Sequence, residues 1–373
     1  MRPQNKVLYV ASTFGHLASF HQPYMQWFAQ QGYEVHAAAG GEPCELAGTK
    51  RYIQLPFEKS MFSYRNFRAA KDINRLIQAE QYQMISLHTS LAAYFARLAV
   101  CPLGKQRPVV VNTVHGYLFD EKTPVLKRML LLGAEKMTAP VTDWLLTMNC
   151  QDDMIARQNG LGENIIGTKG MGIPLERFTR PMSQEKNEAR ASLGIKPAEI
   201  AMVFAAEFSK RKNQEMLIKA MSDLPENFIL LLPGRGDMQK ECVQLAIQLG
   251  VAGRIRFPGF VQDMKRYYHA ADICVTSSRI EGLPFNVMEA MACGLPVIAT
   301  RIKGHIDLID QGENGFLYPF DDQQAFINAA RSLLDAEKRE KMGENAQKRV
   351  QPYGMATVFP ELTAIYTKAM NKN

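Results

Sequence analysis

The chain has 373 residues, more than one hydrophobic core usually serves, so two domains are expected. With 46% hydrophobic and 22% charged residues it has a globular composition. No apolar run approaches the ~20 residues of a membrane-spanning helix, so any membrane contact is expected to be peripheral.

The formal net charge of +7 is uneven. Residues 1–180 carry 20 Lys and Arg against 14 Asp and Glu, whereas residues 181–373 carry 24 against 23. A modest basic field suits an anionic membrane surface or an acidic acceptor, and equally an ordinary solvated face. No dense basic run interleaved with aromatics occurs, so nucleic acid is not an expected partner. The six cysteines, Cys44, Cys101, Cys150, Cys242, Cys274 and Cys293, form no CxxC pair and lack ligand-like histidine spacing. That argues against a disulfide framework and a zinc site, and buried reduced thiols are the favoured reading.

Along the chain, the opening "MRPQNKVLYVASTFG" carries basic residues, but its apolar run is too short for a secretory signal. A cytoplasmic location is therefore expected. Short β-branched and aliphatic runs alternate with helix-length amphipathic segments, the pattern of parallel sheets wrapped by helices. The first half offers strands at "KVLYVAS", "YEVHAAA", "QMISLH", "VVVNTVH" and "WLLTMN", with helical patterns such as "NFRAAKDINRLIQAEQ" between them. After the Gly- and charge-rich stretch "GTKGMGIPLERFTRPMSQEKNEAR" the pattern restarts with "EIAMVFAA", "FILLLPG", "RIRFPGF", "DICVTSS", "PVIATR" and "GFLYPF". Two α/β units in tandem are the simplest account. The tail "GMATVFPELTAIYTKAMNKN" reads as a last amphipathic helix broken near Pro360.

A dinucleotide-binding loop fails at the first strand, where Gly15 stands alone and the three-glycine fingerprint is absent. Gly234 and Gly236 form a lone GxG, a weak signal that often marks only a tight turn. The stretch "SSRIEGLPFNVMEAMACGLPVIAT" is more informative. It reads as a strand end, a turn, and a helix with a proline near its start and Gly294 just past its end. Glu281 and Glu289 stand eight positions apart, roughly 12 Å at helical rise. Carboxylates working on one glycosidic bond sit about 5–9.5 Å apart, so these two are too distant for glycoside hydrolysis. They could hold the two polar ends of one elongated ligand, with the helix amino end taking a diphosphate. Equally, Glu281 could cap the helix and Glu289 face solvent.

The segment "SSRIEGLPFNVMEAMACGLPVIATRIKGHIDLIDQGENGFLYPFDD" resembles the E-x7-E region of retaining glycosyltransferases of family 4, which have the GT-B architecture. Companion motifs stand in the matching order: "NTVHGYLF", "MGIPLERF", "EFSKRKNQ" and "FPGFVQDMKRYYHAADICVTSS". The resemblance covers nearly the whole chain and is strongest to bacterial exopolysaccharide and capsule members. It implies an α/β fold of two Rossmann-like domains facing each other across a deep cleft. Residues 1–174, joined by the helix at about 355–373, would form the acceptor domain and residues 175–354 the donor domain.

On the matching positions, the resemblance implies that Glu289 holds the ribose and Glu281 the donor sugar. Gly282, Leu283 and Phe285 would lie near the sugar and phosphates, and Lys212 would neutralise the diphosphate. On composition alone Lys212 reads as a surface lysine beside a helix cap at Asn213. The arginine that relatives usually place five positions earlier is Glu207 here, which puts more of the charge on Lys212 and Arg211. His115, after "VVVNTV", would touch the donor sugar or orient the acceptor; a hydrogen-bonded core histidine is the alternative. Gly15 would allow close backbone approach to the diphosphate, with His16 a weaker candidate beside it, and Val261 matches the place where the base stacks.

No cofactor is expected beyond the nucleotide-sugar substrate, with UDP the expected nucleotide. The acceptor would be a saccharide on a polyprenyl diphosphate. No Asp-x-Asp pair stands in a plausible loop, in keeping with metal-independent transfer. The Asp pairs at 152 and 321 read as helix caps. A nucleotide-sugar 2-epimerase, a phosphorylase and a non-catalytic sugar-nucleotide-binding protein are the competing readings.

Overall fold

The computed structural model describes residues 5–121 and 123–371. The chain divides into two compact units: unit 1 runs to Met171 and takes in the chain from Ala356 onward, and unit 2 is Gly172–Met355.

Unit 1 is built on strands β1 (Lys6–Thr13), β2 (Glu34–Gly40), β3 (Thr49–Gln54), β4 (Met84–His88), β5 (Val109–Val114), β6 (Trp144–Thr147) and β7 (Asn164–Gly167). They form one sheet in the order β3-β2-β1-β4-β5-β6-β7, with every pairing parallel. Parallel strands need crossover helices on both faces, which is why the central strands read as unbroken apolar runs. Val7 to Ala11 and all of β4 and β5 are buried. The edge strands β3 and β7 are absent from the sequence reading: β3 is mostly polar and partly exposed, and β7 offers only Ile165 and Ile166, so neither has a clear apolar signal.

Unit 2 carries β8 (Ile200–Val203), β9 (Phe228–Pro233), β10 (Ile255–Gly259), β11 (Ile273–Thr276), β12 (Val297–Thr300) and β13 (Gly315–Tyr318). All six coincide with the strands expected from sequence. Their order is β10-β9-β8-β11-β12-β13, again parallel throughout. The core gathers Met202, Phe204, Leu217, Leu230, Ile273, Val275 and Phe326.

In both sheets the strand order reverses once, between β1 and β4 and between β8 and β11. The loops leaving neighbouring strands diverge there, opening a crevice at the strand carboxyl ends where ligands of such folds bind.

Pro360 does not break the last helix, which is continuous over Met355–Met370. The proline falls in its second turn, so few intrahelical bonds precede it and the missing N–H removes one of them. Tertiary packing holds this helix on unit 1: Phe359 stacks on Tyr24 at 5.3 Å, and Tyr366 lies against Phe28 at 5.3 Å. Among the described residues no helix is long and apolar enough to cross a membrane.

Candidate active site

The unit 2 switch point is made by the chain after β8 and the chain after β11. Residues 204–208 run beside 233–236, with Ala206 N–H donating to Pro233 O (3.1 Å) and Phe208 N–H to Arg235 O (3.0 Å). That approach requires glycine at 234 and 236, where a Cβ would stand 1.9 Å from Ala206 O and 2.2 Å from Phe208 O. The GxG is therefore a packing device for the neighbouring loop. A turn follows, with Asn213 left-handed at φ 55°, and the helix Gln214–Ala220 begins. Ser277, just past β11, donates through Oγ to Lys212 O (3.0 Å) and Asn213 O (2.7 Å), and Arg279 N–H donates to Arg211 O (2.8 Å).

This stitching brings Lys212 onto Glu281. Lys212 Nζ lies 2.5 Å from Glu281 Oε1, with side-chain exposures of only 11% and 9%. Arg211 adds contacts to Glu281 Oε2 at 3.5 Å and Ile280 O at 3.2 Å. Burial works against the Glu281 charge, but Lys212 and Arg211 outweigh it and hold the carboxyl below its usual value. Lys212 is thus no surface lysine, and Glu281 does not cap the helix. Pro284 occupies the cap position and supplies no capping side chain.

The helix spans Phe285–Ala292. It covers only the second half of the Glu281–Glu289 interval, so the 12 Å helical-rise figure does not apply. Gly294, at φ 78°, closes it as expected, its N–H donating to Met291 O at 2.9 Å. Asn286 ties the helix to the loop after β8 by donating to Ala205 O at 2.9 Å. Glu289 is half-buried and accepts a hydrogen bond from Tyr268 (2.9 Å), so it does not simply face water. Burial pushes its carboxyl up to about 7, against the Tyr268 hydrogen bond and Arg177. Gly282 lies against Gly304, where a Cβ would stand 2.4 Å from Gly282 O; Leu283 is buried and Phe285 half-buried.

Two expected residues stand apart from this group. Glu207 is exposed and, among the described residues, its carboxylate makes no ion pair; only its carbonyl is used, by Gln214 Nε2 at 2.8 Å. Val261 follows β10 at the sheet edge, two strands from the switch point. His305 was not foreseen. It is fully buried, with Nδ1 2.8 Å from Thr300 O and Nε2 lacking a hydrogen-bond partner. Burial takes its pKa down to about 4, so it is neutral at pH 7. The Asp pairs behave as helix-start residues: Asp322 caps Gln323–Ser332 by accepting from Ala325 N–H, and Asp152 lies in the first turn of Cys150–Asn159.

The unit 1 switch point gathers histidines. His115 follows β5, and its Nε2 lies 3.4 Å from His16 Nε2, which is also 3.4 Å from His21 Nε2. His88 ends β4 and stacks on His21 at 3.5 Å. Burial and the neighbouring imidazoles push His21, His88 and His115 well down, and burial alone takes His16 to about 4. All four rings are neutral at pH 7. Gly15 lies in the helix Phe14–Phe20, capped by Thr13, rather than in a loop. Its backbone is helical and the space around it is open, so close approach there needs no special φ.

Two Rossmann-like parallel-sheet units, each with polar side chains at its switch point, define the GT-B class of glycosyltransferase. Residues 6–139 match the "Glycosyl transferase 4-like" family model and residues 185–349 the "Glycosyl transferases group 1" model. The "Putative glycosyltransferase EpsD" of Bacillus subtilis (strain 168) is 33% identical over 98% of this chain and 97% of its own. The UDP-Gal:alpha-D-GlcNAc-diphosphoundecaprenol alpha-1,3-galactosyltransferase of Escherichia coli is 24% identical over 77% of this chain and 76% of its own. The crystal structure of Anabaena Alr3699/HepE in complex with UDP-glucose shares the fold, with a TM-score of 0.78 at 19% identity over 97% of this chain and 99% of that one. The chain belongs to the group 1, family 4-like glycosyltransferases, and is a glycosyltransferase enzyme.

Proposed function

We propose that the enzyme transfers a hexose or N-acetylhexosamine from a UDP-sugar, with retention and without a metal or other cofactor. The acceptor is a saccharide carried on a polyprenyl diphosphate, and the product is a surface glycan such as an exopolysaccharide or capsule. The carrying observation is the buried Lys212–Glu281 pair beside the start of the Phe285–Ala292 helix. A diphosphate is a dianion or more, and a buried lysine with an adjacent arginine offers the charge it needs as it departs. Before donor arrives, Glu281 keeps Lys212 paired and spares it an isolated buried charge.

In this reading Glu281 also accepts donor-sugar hydroxyls, Glu289 accepts the ribose hydroxyls, and Gly282, Leu283 and Phe285 line the sugar and phosphates. Arg211 shares the leaving charge, and exposed Glu207 takes no part in it. The acceptor hydroxyl attacks on the face the diphosphate leaves, and its proton passes to the leaving phosphate oxygen. The protein supplies position and charge stabilisation. Residues 1–174 with the last helix form the acceptor half, where His115 orients a sugar hydroxyl. The names of relatives support the chemistry: the Escherichia coli enzyme uses a diphosphoundecaprenol-linked sugar, and Alr3699/HepE was crystallised with UDP-glucose.

Peripheral attachment at the inner face of the cell membrane accompanies this acceptor. The helix Val125–Thr138 presents Leu126 (82% exposed), Met129 and Leu130 beside Lys127 and Arg128. Apolar residues flanked by cations suit an interfacial position on anionic lipid. The test incubates the enzyme with UDP-glucose, UDP-galactose or a UDP-N-acetylhexosamine and a polyprenyl-diphosphate-linked acceptor, in chelator, with product anomers read by NMR. An α-linked product in the presence of EDTA is expected. An inverted product, strict metal dependence, or epimerised donor without acceptor would each reject the reading.

A further inference from the structure

Three imidazoles in unit 1 converge on one point. His16 comes from the helix after β1, His21 from the residue closing that helix, and His115 from the end of β5. Their ligating nitrogens lie within 4.8 Å of one another, with His16 Nε2 at 3.4 Å from each of the other two Nε2 atoms. Zinc–imidazole bonds of about 2.0–2.1 Å set the nitrogens of a tetrahedral site about 3.3–3.4 Å apart. Two edges of the triangle already have that length, and the third is no longer than 4.8 Å.

The cluster's surroundings favour a metal over a hydrogen-bonded network. A neutral imidazole Nε2 offers one proton or one lone pair, yet His16 Nε2 faces two nitrogens at once. Both contacts are therefore long, shared hydrogen bonds at best, whereas a cation would use each lone pair fully. His88 is engaged elsewhere, its Nε2 3.0 Å from Ser86 Oγ, and serves to hold the His21 ring by stacking.

We infer that His16, His21 and His115 form a binding site for a divalent transition-metal ion of the zinc class, with three imidazole nitrogens and water as the remaining ligand. Magnesium and calcium prefer oxygen ligands and do not suit this donor set. Among the described residues, His21 Nδ1 is buried without a hydrogen-bond partner. Ligating histidines normally donate that second N–H to an acceptor, and its loss weakens affinity by about 10–100-fold. The site is accordingly of moderate affinity and loads only with added metal, so that transfer runs with it empty and His115 free to meet the sugar hydroxyl. It goes beyond the transferase reading, and metal content is measured with no sugar present, so the two can fail separately.

The test uses the untagged full chain, stripped with EDTA, equilibrated with ZnCl2 or MgCl2, and desalted before metal analysis. The wild type is expected to retain about one zinc per chain and no magnesium, and CoCl2 to give a four-coordinate ligand-field spectrum. His16→Ala and His21→Phe are each expected to lose at least about tenfold in zinc affinity. His21→Phe keeps the stacked ring, and the metal-free melting temperature of each variant reports folding. His16 is half-buried, less enclosed than His21, so His16→Ala decides if the His21 substitution does not fold. No retained zinc in the wild type would overturn the site. So would equal zinc in both variants, which would move the metal to the exposed Cys44, Cys101 and Cys150.

Discussion

The two switch points occupy the same topological position and are built from opposite chemistry. After β8 and β11 the crevice holds a buried ion pair, Lys212–Glu281, extended by Arg211. After β1, β4 and β5 it holds four neutral histidines. Yet the first half carries nearly all the net positive charge of the chain. Bulk charge therefore says little about a site: the basic residues of unit 1 lie elsewhere, among them Lys127 and Arg128 on the helix Val125–Thr138. One Rossmann-like unit is arranged to stabilise charge, and the other presents uncharged imidazole nitrogens.

The sharpest way to break this contrast is to remove the charges. Lys212→Ala and Glu281→Ala should each lower turnover at least about a hundredfold, about 2.7 kcal/mol of barrier. Each also strands a buried charge, so thermal unfolding should show a loss on the order of 3–5 kcal/mol, largely recovered in the Lys212→Met/Glu281→Leu double variant. Recovery of stability without recovery of turnover separates the structural part of the pair from the chemical part. Wild-type rates in either single variant would remove the site assignment.

In unit 1 the corresponding change is His115→Ala. Steady-state kinetics should show about a tenfold to hundredfold loss in kcat/KM, while calorimetric affinity for UDP alone stays at the wild-type value. A matching loss of UDP affinity would mean that the two switch points do not divide the labour as described.

A smaller effect is expected from pH. Glu289 sits at about 7 in the folded protein against 4.5 ordinarily, so the folded state holds the extra proton between those values. Its contribution to stability is full below about 4.5 and is lost as pH rises through 7. In the proposed reading ribose hydroxyls donate to the carboxylate, so UDP affinity should rise as pH passes through about 7. Tyr268 donates to that carboxylate, and Tyr268→Phe should move the inflection upward. A flat profile in both proteins would show that Glu289 does not meet the ribose. The smallest effect on catalysis is expected from Lys127→Ala/Arg128→Ala, which should weaken flotation with anionic vesicles and leave transfer to a water-soluble acceptor unchanged. Equal flotation would count against attachment through this helix.

The legible part of the fold was the buried part. Strands β8 to β13 declared themselves because residues such as Phe228–Pro233 are apolar on both faces. Edge strand β3 did not, because residues such as Lys50 and Arg51 face water, and β7 did not because its apolar run is only Ile165 and Ile166. Glu281 and Glu289 were legible because carboxylates are rare in so apolar a stretch. The partners of those carboxylates were not, since Lys212 lies 69 positions from Glu281 and meets it only through the crossing of two loops. The histidine cluster was partly legible: His16, His88 and His115 end or follow strands, whereas His21 enters through packing that no spacing rule encodes.

Donor binding to the charged switch point is tested most directly by thermal unfolding of wild type and Lys212→Ala with a panel of nucleotide-sugars. A ligand at about 100 times its Kd adds about 2.7 kcal/mol to the folded state. UDP-sugars should raise the wild-type melting temperature clearly and the Lys212→Ala value little. No rise with any nucleotide-sugar, or an equal rise in both proteins, would contradict the assignment of the diphosphate to Lys212.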